Sequence, residues 1–303
     1  MVRGMHYRKP HMRLGHGGVA AALVGATLLA AMSAAANKRL PTLSAIETRP
    51  HDMDCLIKSG HIQGACCSEK GFYLSHQMGL DSFDWTGRHL KHVDAPAHLG
   101  DTAYANGRIY GVFVLRGEGR RKYKAKGLIR VWDENLEVIV EKPVEDANLD
   151  GVVVLGETLY VGVDKYGKQR HTDCCIRTYD LDLNFKAEKT IELGYPIVYG
   201  VQTMATDGKD IFLGNYGGTS RVSADLRHLQ HFKKQKGLRV SEGFGLVPES
   251  VARQSNVFFT VNALGGNMQG WRKDPTNNPP RIQIRFYKYD DGRFTDITGS
   301  KDN

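Results

Sequence analysis

Along "DTAYANGRIYGVFV" (residues 101–114), apolar and polar side chains alternate on both sides of Asn106-Gly107. A period of two marks a β-strand, and Asn-Gly is a dipeptide that reverses a two-residue hairpin. The plan recurs in "GACCSEKGFYLSHQM" (64–78), "GVVVLGETLYVGVD" (151–164) and "TMATDGKDIFLGNY" (203–216). A fifth copy, "GFGLVPESVARQSNVFFTVNAL" (243–264), carries a longer turn. Each copy sets an aromatic in its second strand: Tyr73, Tyr110, Tyr160, Phe212 and Phe259.

A second hairpin follows each of these. Its first strand closes on an aromatic–acid step at Phe83-Asp84, Trp132-Asp133, Tyr179-Asp180 and Tyr289-Asp290, while "TSRVSADLRHLQHF" fills the fourth slot. Four strands in a repeat of roughly 40–50 residues is the spacing of a β-propeller blade. The pattern therefore predicts an all-β chain, a five-bladed β-propeller over residues 61–303. Residues 37–60 are a candidate ring-closing strand, and six blades follow if that segment is more structured. A two-sheet sandwich is the alternative architecture.

Residues 1–36 break the pattern. Arg3, Arg8, Lys9 and Arg13 precede the apolar run "VAAALVGATLLAAM" and the small residues Ala34 and Ala36. This is the layout of a secretory signal peptide, with an uncleaved anchor as the alternative. The expected location is secreted or periplasmic, with no stable membrane insertion after cleavage. Removing these residues lowers the formal charge from +8 to +4. A general nucleic-acid role then loses its clustered basic face.

The five cysteines are Cys55, Cys66-Cys67 and Cys174-Cys175. An odd count leaves at least one thiol unpaired within a monomer. Strand geometry gives each pair one inward and one outward thiol, with a Cys55 bridge or a vicinal disulfide as options. No cysteine spacing matches a structural zinc site.

Inner strands of a propeller start at one end of the central channel. The five starts read Gln63, Asp101, Asp150, Gln202 and Glu242, with His61, His98, Asn148 and Tyr199 just ahead. Two chemistries suit such a ring. Ca²⁺ could take oxygen ligands from Asp101, Asp150, Glu242, Gln63 and Gln202. Alternatively, crowding splits the carboxyl pKa values into an acid and a base, with Asp101, Glu242 and His98 as catalytic candidates. The plain alternative is turn chemistry, in which each Asp ties its own loop.

Loops between second and third strands open on the same face. They bring Arg120, Arg121 and Lys122, then Lys168 and Arg170, then Trp271 and Arg272. Such a basic rim would attract an anionic small molecule or glycan, and Trp271 could stack on a sugar or base.

"SEGFGLVPES" (241–250) and "DTAYANGRIYGV" (101–112) loosely resemble the inner strands of secreted five-bladed calcium-activated nucleotidases and of five-bladed glycosidases. The resemblance implies Ca²⁺ with Asp101, Asp150 and Glu242 as ligands. Metal-assisted hydrolysis of an anionic substrate and a non-catalytic binding scaffold are the two functional expectations. No Gly-x-Ser-x-Gly elbow, HExxH, P-loop or dinucleotide fingerprint is present.

Overall fold

The computed structural model describes residues 43–48, 62–77, 79–115, 126–233, 235, 238–264 and 281–299. The expected signal peptide, Cys55, Arg120–Lys122, Trp271 and Arg272 lie outside them.

The alternating runs become short antiparallel meanders. Two small strands, β1 (Leu43–Ser44) and β2 (Ile46–Thr48), come first in the chain. Blade one holds β3 (Ile62–Cys67), β4 (Gly71–His76), β5 (Gly79–Asp84) and β6 (His89–Asp94). Blade two holds β7 (His98–Ala105), β8 (Arg108–Leu115), β9 (Lys126–Asp133) and β10 (Val138–Glu145). Blade three holds β11 (Asn148–Leu155), β12 (Thr158–Asp164), β13 (His171–Asp180) and β14 (Phe185–Ile197). Blade four is shorter, with β15 (Thr203–Thr206), β16 (Asp210–Asn215), β17 (Gly218–Ser223) and β18 (His228–Lys233).

Blade five starts with β19 (Phe244–Leu246), a single helical turn α1 (Glu249–Ala252), β20 (Val257–Leu264) and β21 (Arg281–Asp290). Its outer edge is shared. The early strand β2 pairs with Ile282–Ile284, and β22 (Arg293–Asp296) pairs with Tyr287–Asp290. The last strand, β23 (Thr298–Gly299), lies parallel to β1. Both ends of the described chain thus meet on one blade, which removes a free sheet edge.

The inner strands form a closed ring: β3 packs beside β7, β7 beside β11, β11 beside β15, β15 beside β19, and β19 beside β3. The architecture is a five-bladed β-propeller, and neither six blades nor a sandwich is formed.

One apolar core fills each interface between blades. Phe72, Leu74 and Phe83 meet Phe259, Ile284 and Phe286 between blades one and five. Leu80, Leu99, Ile109 and Trp132 fill the next interface, between blades one and two. Two further clusters follow, centred on Val131, Leu149 and Val161 and on Ile176, Ile211 and Val222. Between blades four and five the packing is aromatic, with Phe212, Phe232, Phe244, Phe258, Tyr289 and Phe294 in mutual contact. Burial on both faces of every sheet explains the nearly continuous apolar inner strands.

It also corrects the thiol expectation. Cys66 packs toward blade two and Cys67 toward blade five, and Cys174 and Cys175 likewise enter two different cores. Opposite faces are used as alternation requires, but neither face is outward. All four are buried free thiols, with no vicinal disulfide. Burial pushes every one of the four thiols above its ordinary range, so they are inert packing residues rather than nucleophiles.

Candidate functional site

In blades one to three, the strand pairing slips at the axial polar residue. The register shifts between Ile62 and Gly64, between Leu99 and Thr102, and between Leu149 and Val152. These shifts bracket Gln63, Asp101 and Asp150. A bulge adds a residue to one strand and re-aims its side chain, so here it turns polar groups toward the axis. Close approach of the inner strands accompanies it. A Cβ on Gly64 would stand 2.3 Å from Asp101 Oδ1, and one on Gly100 would stand 3.0 Å from Asp150 Oδ1.

At this end of the ring lies a cavity of about 430 Å³. Gln63, His98, Asp150, Gln202 and Lys168 line it, all of them positions expected from the sequence, together with the neighbouring Asn148 and Tyr199. Gln77, Val114, Asp164 and Tyr216 complete the wall. These four stand at or just past the ends of β4, β8, β12 and β16. Antiparallel pairing sets the end of each second strand beside the start of the first, as in His98 opposite Val114 and Asn148 opposite Asp164. That relation was available in the repeat and would have found them.

Asp150 Oδ2 accepts a 2.8 Å hydrogen bond from Gln202 Nε2, which also donates to the Tyr199 carbonyl at 2.8 Å. Burial pushes the Asp150 carboxyl up to about 8, more than the Gln202 bond offsets, and the nearby Asp164 adds to the rise. Asp150 is therefore mostly protonated at neutral pH. Asp164 itself caps its loop, accepting from the amides of Tyr166 and Gly167 at 3.0 and 2.7 Å.

Asp101 stands elsewhere. Its side chain is fully buried and lines neither this cavity nor the one of about 230 Å³ that includes Thr102, Val153 and Met204. Oδ2 accepts from Met204 N at 2.8 Å and Val152 N at 3.2 Å, bridging blade two to the inner strands of blades four and three. Burial holds this carboxyl well above the usual range, despite the amides of Met204, Val152 and Thr102. It acts as an axial tie sealed from both cavities. Glu242 lines a third cavity, of about 610 Å³, with Asn215, Lys233, Arg239 and Tyr216. Tyr216 thus borders two cavities, and burial followed by the charges of Asp150 and Glu242 raises its phenol to about 12. Arg170 is exposed and lines none of the three.

The expected single ring is thus divided among one cup, one buried tie and one side cavity. Among the described residues, no three of the expected imidazole and carboxylate groups come within 4.8 Å of one another. The five positions named for Ca²⁺ do not line one cavity: Asp101 is buried with Oδ2 on the amides of Val152 and Met204, and Glu242 lines another cavity.

The chain is a five-bladed propeller. No family model matches it, and no curated protein matches it. Solved structures do resemble it. The RRP9 WD40 repeats align with 8% identity and a TM-score of 0.48, covering 85% of this chain and 84% of that one. A GH43_1 enzyme from Xanthomonas citri complexed with xylose gives 10% identity and 0.46, covering 80% and 95%. The Pan2 WD40 domain of Neurospora crassa gives 10% identity and a TM-score of 0.40, covering 67% of this chain and 59% of that one.

Proposed function

We propose that the propeller binds a small hydroxyl-rich molecule, a sugar or glycan end, in the cup around Asp150. The observation that carries the reading is the chemistry of the wall. Four carboxamides (Gln63, Gln77, Asn148 and Gln202), two tyrosines and His98 surround a carboxyl held up to about 8. Such groups both donate and accept, which matches hydroxyls better than it matches a hard cation. Lys168 is the cation of the described lining and supplies one contact for an acidic substituent. Export through residues 1–36 belongs to the same proposal, and calcium does not.

A second reading has one observation in its favour. A carboxylic acid that keeps its proton at neutral pH is suited to general-acid cleavage of a glycosidic bond. Titration with a panel of neutral, sulfated and phosphorylated saccharides, alongside a hydrolysis assay on the same panel, separates the two. Binding without turnover that weakens at least tenfold in Asp150→Ala and Gln202→Ala supports the scaffold reading. Turnover abolished by Asp150→Asn supports hydrolysis. If no saccharide binds, or if both variants bind like the wild type, the cup is not the site.

A further inference from the structure

Away from the axis, on the face of blade one that meets blade five, three imidazoles converge on one carboxylate. Alternation sets Phe72, Leu74 and His76 on one face of β4, with Asp81 and Phe83 on the matching face of β5. Phe72, Leu74 and Phe83 fill the apolar core with blade five, and beyond them the same face turns polar. Asp81 stands opposite His92 in the β5–β6 pairing, while His76 stands opposite Gly79 across the β4–β5 turn. Gly79 makes room: a Cβ there would lie 2.5 Å from His92 Cε1 and 3.0 Å from His76 Cε1. Over it the two rings stack, with centroids 5.7 Å apart and planes 8° from parallel.

His76 Nε2 lies 3.2 Å from Asp81 Oδ2, and His92 Nδ1 lies 3.0 Å from Oδ1. His89 Nε2 reaches the same Oδ1 at 2.9 Å. His76 and Asp81 are each 1% exposed in their side chains, whereas His92 and His89 open partly to solvent at 16% and 22%. The far nitrogen of His92, Nε2, stands 3.3 Å from Asp94 Oδ1. Three imidazole nitrogens thus crowd one buried carboxyl, and two of them, on His76 and His92, face its two different oxygens.

We infer that His76, Asp81 and His92 form a binding site for one divalent ion of the zinc class. Zinc takes imidazole nitrogen and carboxylate oxygen at about 2.0–2.2 Å, so tetrahedral ligand atoms stand about 3.3 Å apart. The three ligand atoms here all lie within 4.8 Å of one another, and each of the two histidine nitrogens stands near that separation from one Asp81 oxygen, His76 Nε2 from Oδ2 and His92 Nδ1 from Oδ1. Around the three ligands, Asp94 Oδ1 stands 3.3 Å from His92 Nε2 and His89 Nε2 stands 2.9 Å from Asp81 Oδ1, the outer contacts a metal-bound histidine and carboxyl use. Two imidazole nitrogens and one carboxylate oxygen suit a borderline ion rather than calcium. The ion would pin the β4–β5 turn, and Gln77, the residue after His76, lines the axial cup. The inference stands independently of what the cup binds.

The test uses the full chain without a histidine tag, stripped by chelator and titrated with Zn²⁺ by calorimetry. One Zn²⁺ per chain is expected to saturate with at least tenfold higher affinity in the wild type than in His92→Gln. His228→Gln, at an exposed histidine on blade four, should match the wild type. Thermal unfolding with and without Zn²⁺ should show a rise in melting temperature that His92→Gln abolishes. Substituting Co²⁺ gives a readout on the wild type alone: strong visible ligand-field bands are expected of a four-coordinate site. The absence of saturable binding, equal binding in His92→Gln, or only the weak bands of hydrated Co²⁺ would each overturn the site.

Discussion

Asp81 and Asp150 are both carboxyls withdrawn from water, and they are driven in opposite directions. Burial on its own raises each of them. At Asp81, hydrogen bonds from His76, His92 and His89 reverse that rise and leave the carboxyl far below its usual range. At Asp150 the single bond from Gln202 falls short, and the neighbouring Asp164 pushes the same way as burial. The difference lies in the partners rather than in depth: three imidazoles can bring positive charge, and a carboxamide cannot. One region is built to hold a charge, the other to hold a proton. The first is metal-site chemistry and the second suits a polar ligand or an acid.

The largest effect expected from breaking this contrast is at Asp81. Removing one partner of a buried, hydrogen-bonded charge cluster typically costs about 3–5 kcal/mol. Asp81→Ala should lose that much in urea unfolding, measured in metal-free buffer at pH 7. A loss below about 1 kcal/mol, the range of exposed ion pairs, would mean that the imidazoles do not depend on the carboxylate.

Asp101 offers the next step down. It shares the proton-holding character of Asp150 but spends its oxygen on the backbone amides of Val152 and Met204. Asp101→Ala leaves two buried N–H groups unpaired and should cost about 2–4 kcal/mol. Asp101→Asn keeps an acceptor of the same shape without charge and should cost under about 1 kcal/mol. Equal losses in the two variants would show that Asp101 works as a charge and not as a neutral tie.

Much of this was legible before any coordinates. The Asn106-Gly107 turn has positive φ at both residues, 52° and 75°, as the dipeptide implies. The repeat of hairpins gave the blades, and the inner-strand starts brought Gln63, His98, Asp150 and Gln202 to one cup, joined by Lys168 from the loop between the second and third strands of blade three. Depth was not legible. Asp101 and Asp150 hold equivalent places in their repeats, each at a bulge and beside a glycine of the neighbouring strand, yet only Asp150 lines the cavity. Glu242 precedes a blade whose inner strand starts only at Phe244, so it opens sideways. The histidine cluster had no motif to find. His76, Asp81, His89 and His92 sit on three strands, and only the register over Gly79 brings them together.

The smallest effect sharpens the comparison through pH. Between about pH 4 and pH 8, the folded chain holds a proton on Asp150 that the unfolded chain, with a carboxyl near 3.9, has released. Raising the pH across that window therefore weakens the fold. Asp81 has the opposite sign. Its folded carboxyl gives up its proton below the unfolded value, so its contribution is complete above about pH 4 and lost as the pH falls further. Unfolding free energy should decline between pH 5 and pH 7 by about 2–3 kcal/mol on account of Asp150. Asp150→Asn should remove that share and leave the loss below pH 4 intact. Asp101 carries the same sign as Asp150, so a shallower slope should persist in Asp150→Asn and flatten further in the double variant with Asp101→Asn. A decline as steep in Asp150→Asn as in the wild type would mean that Asp150 is ionised at neutral pH. The cup would then present a fixed negative charge, and the sugar-hydroxyl reading would give way to a cationic ligand.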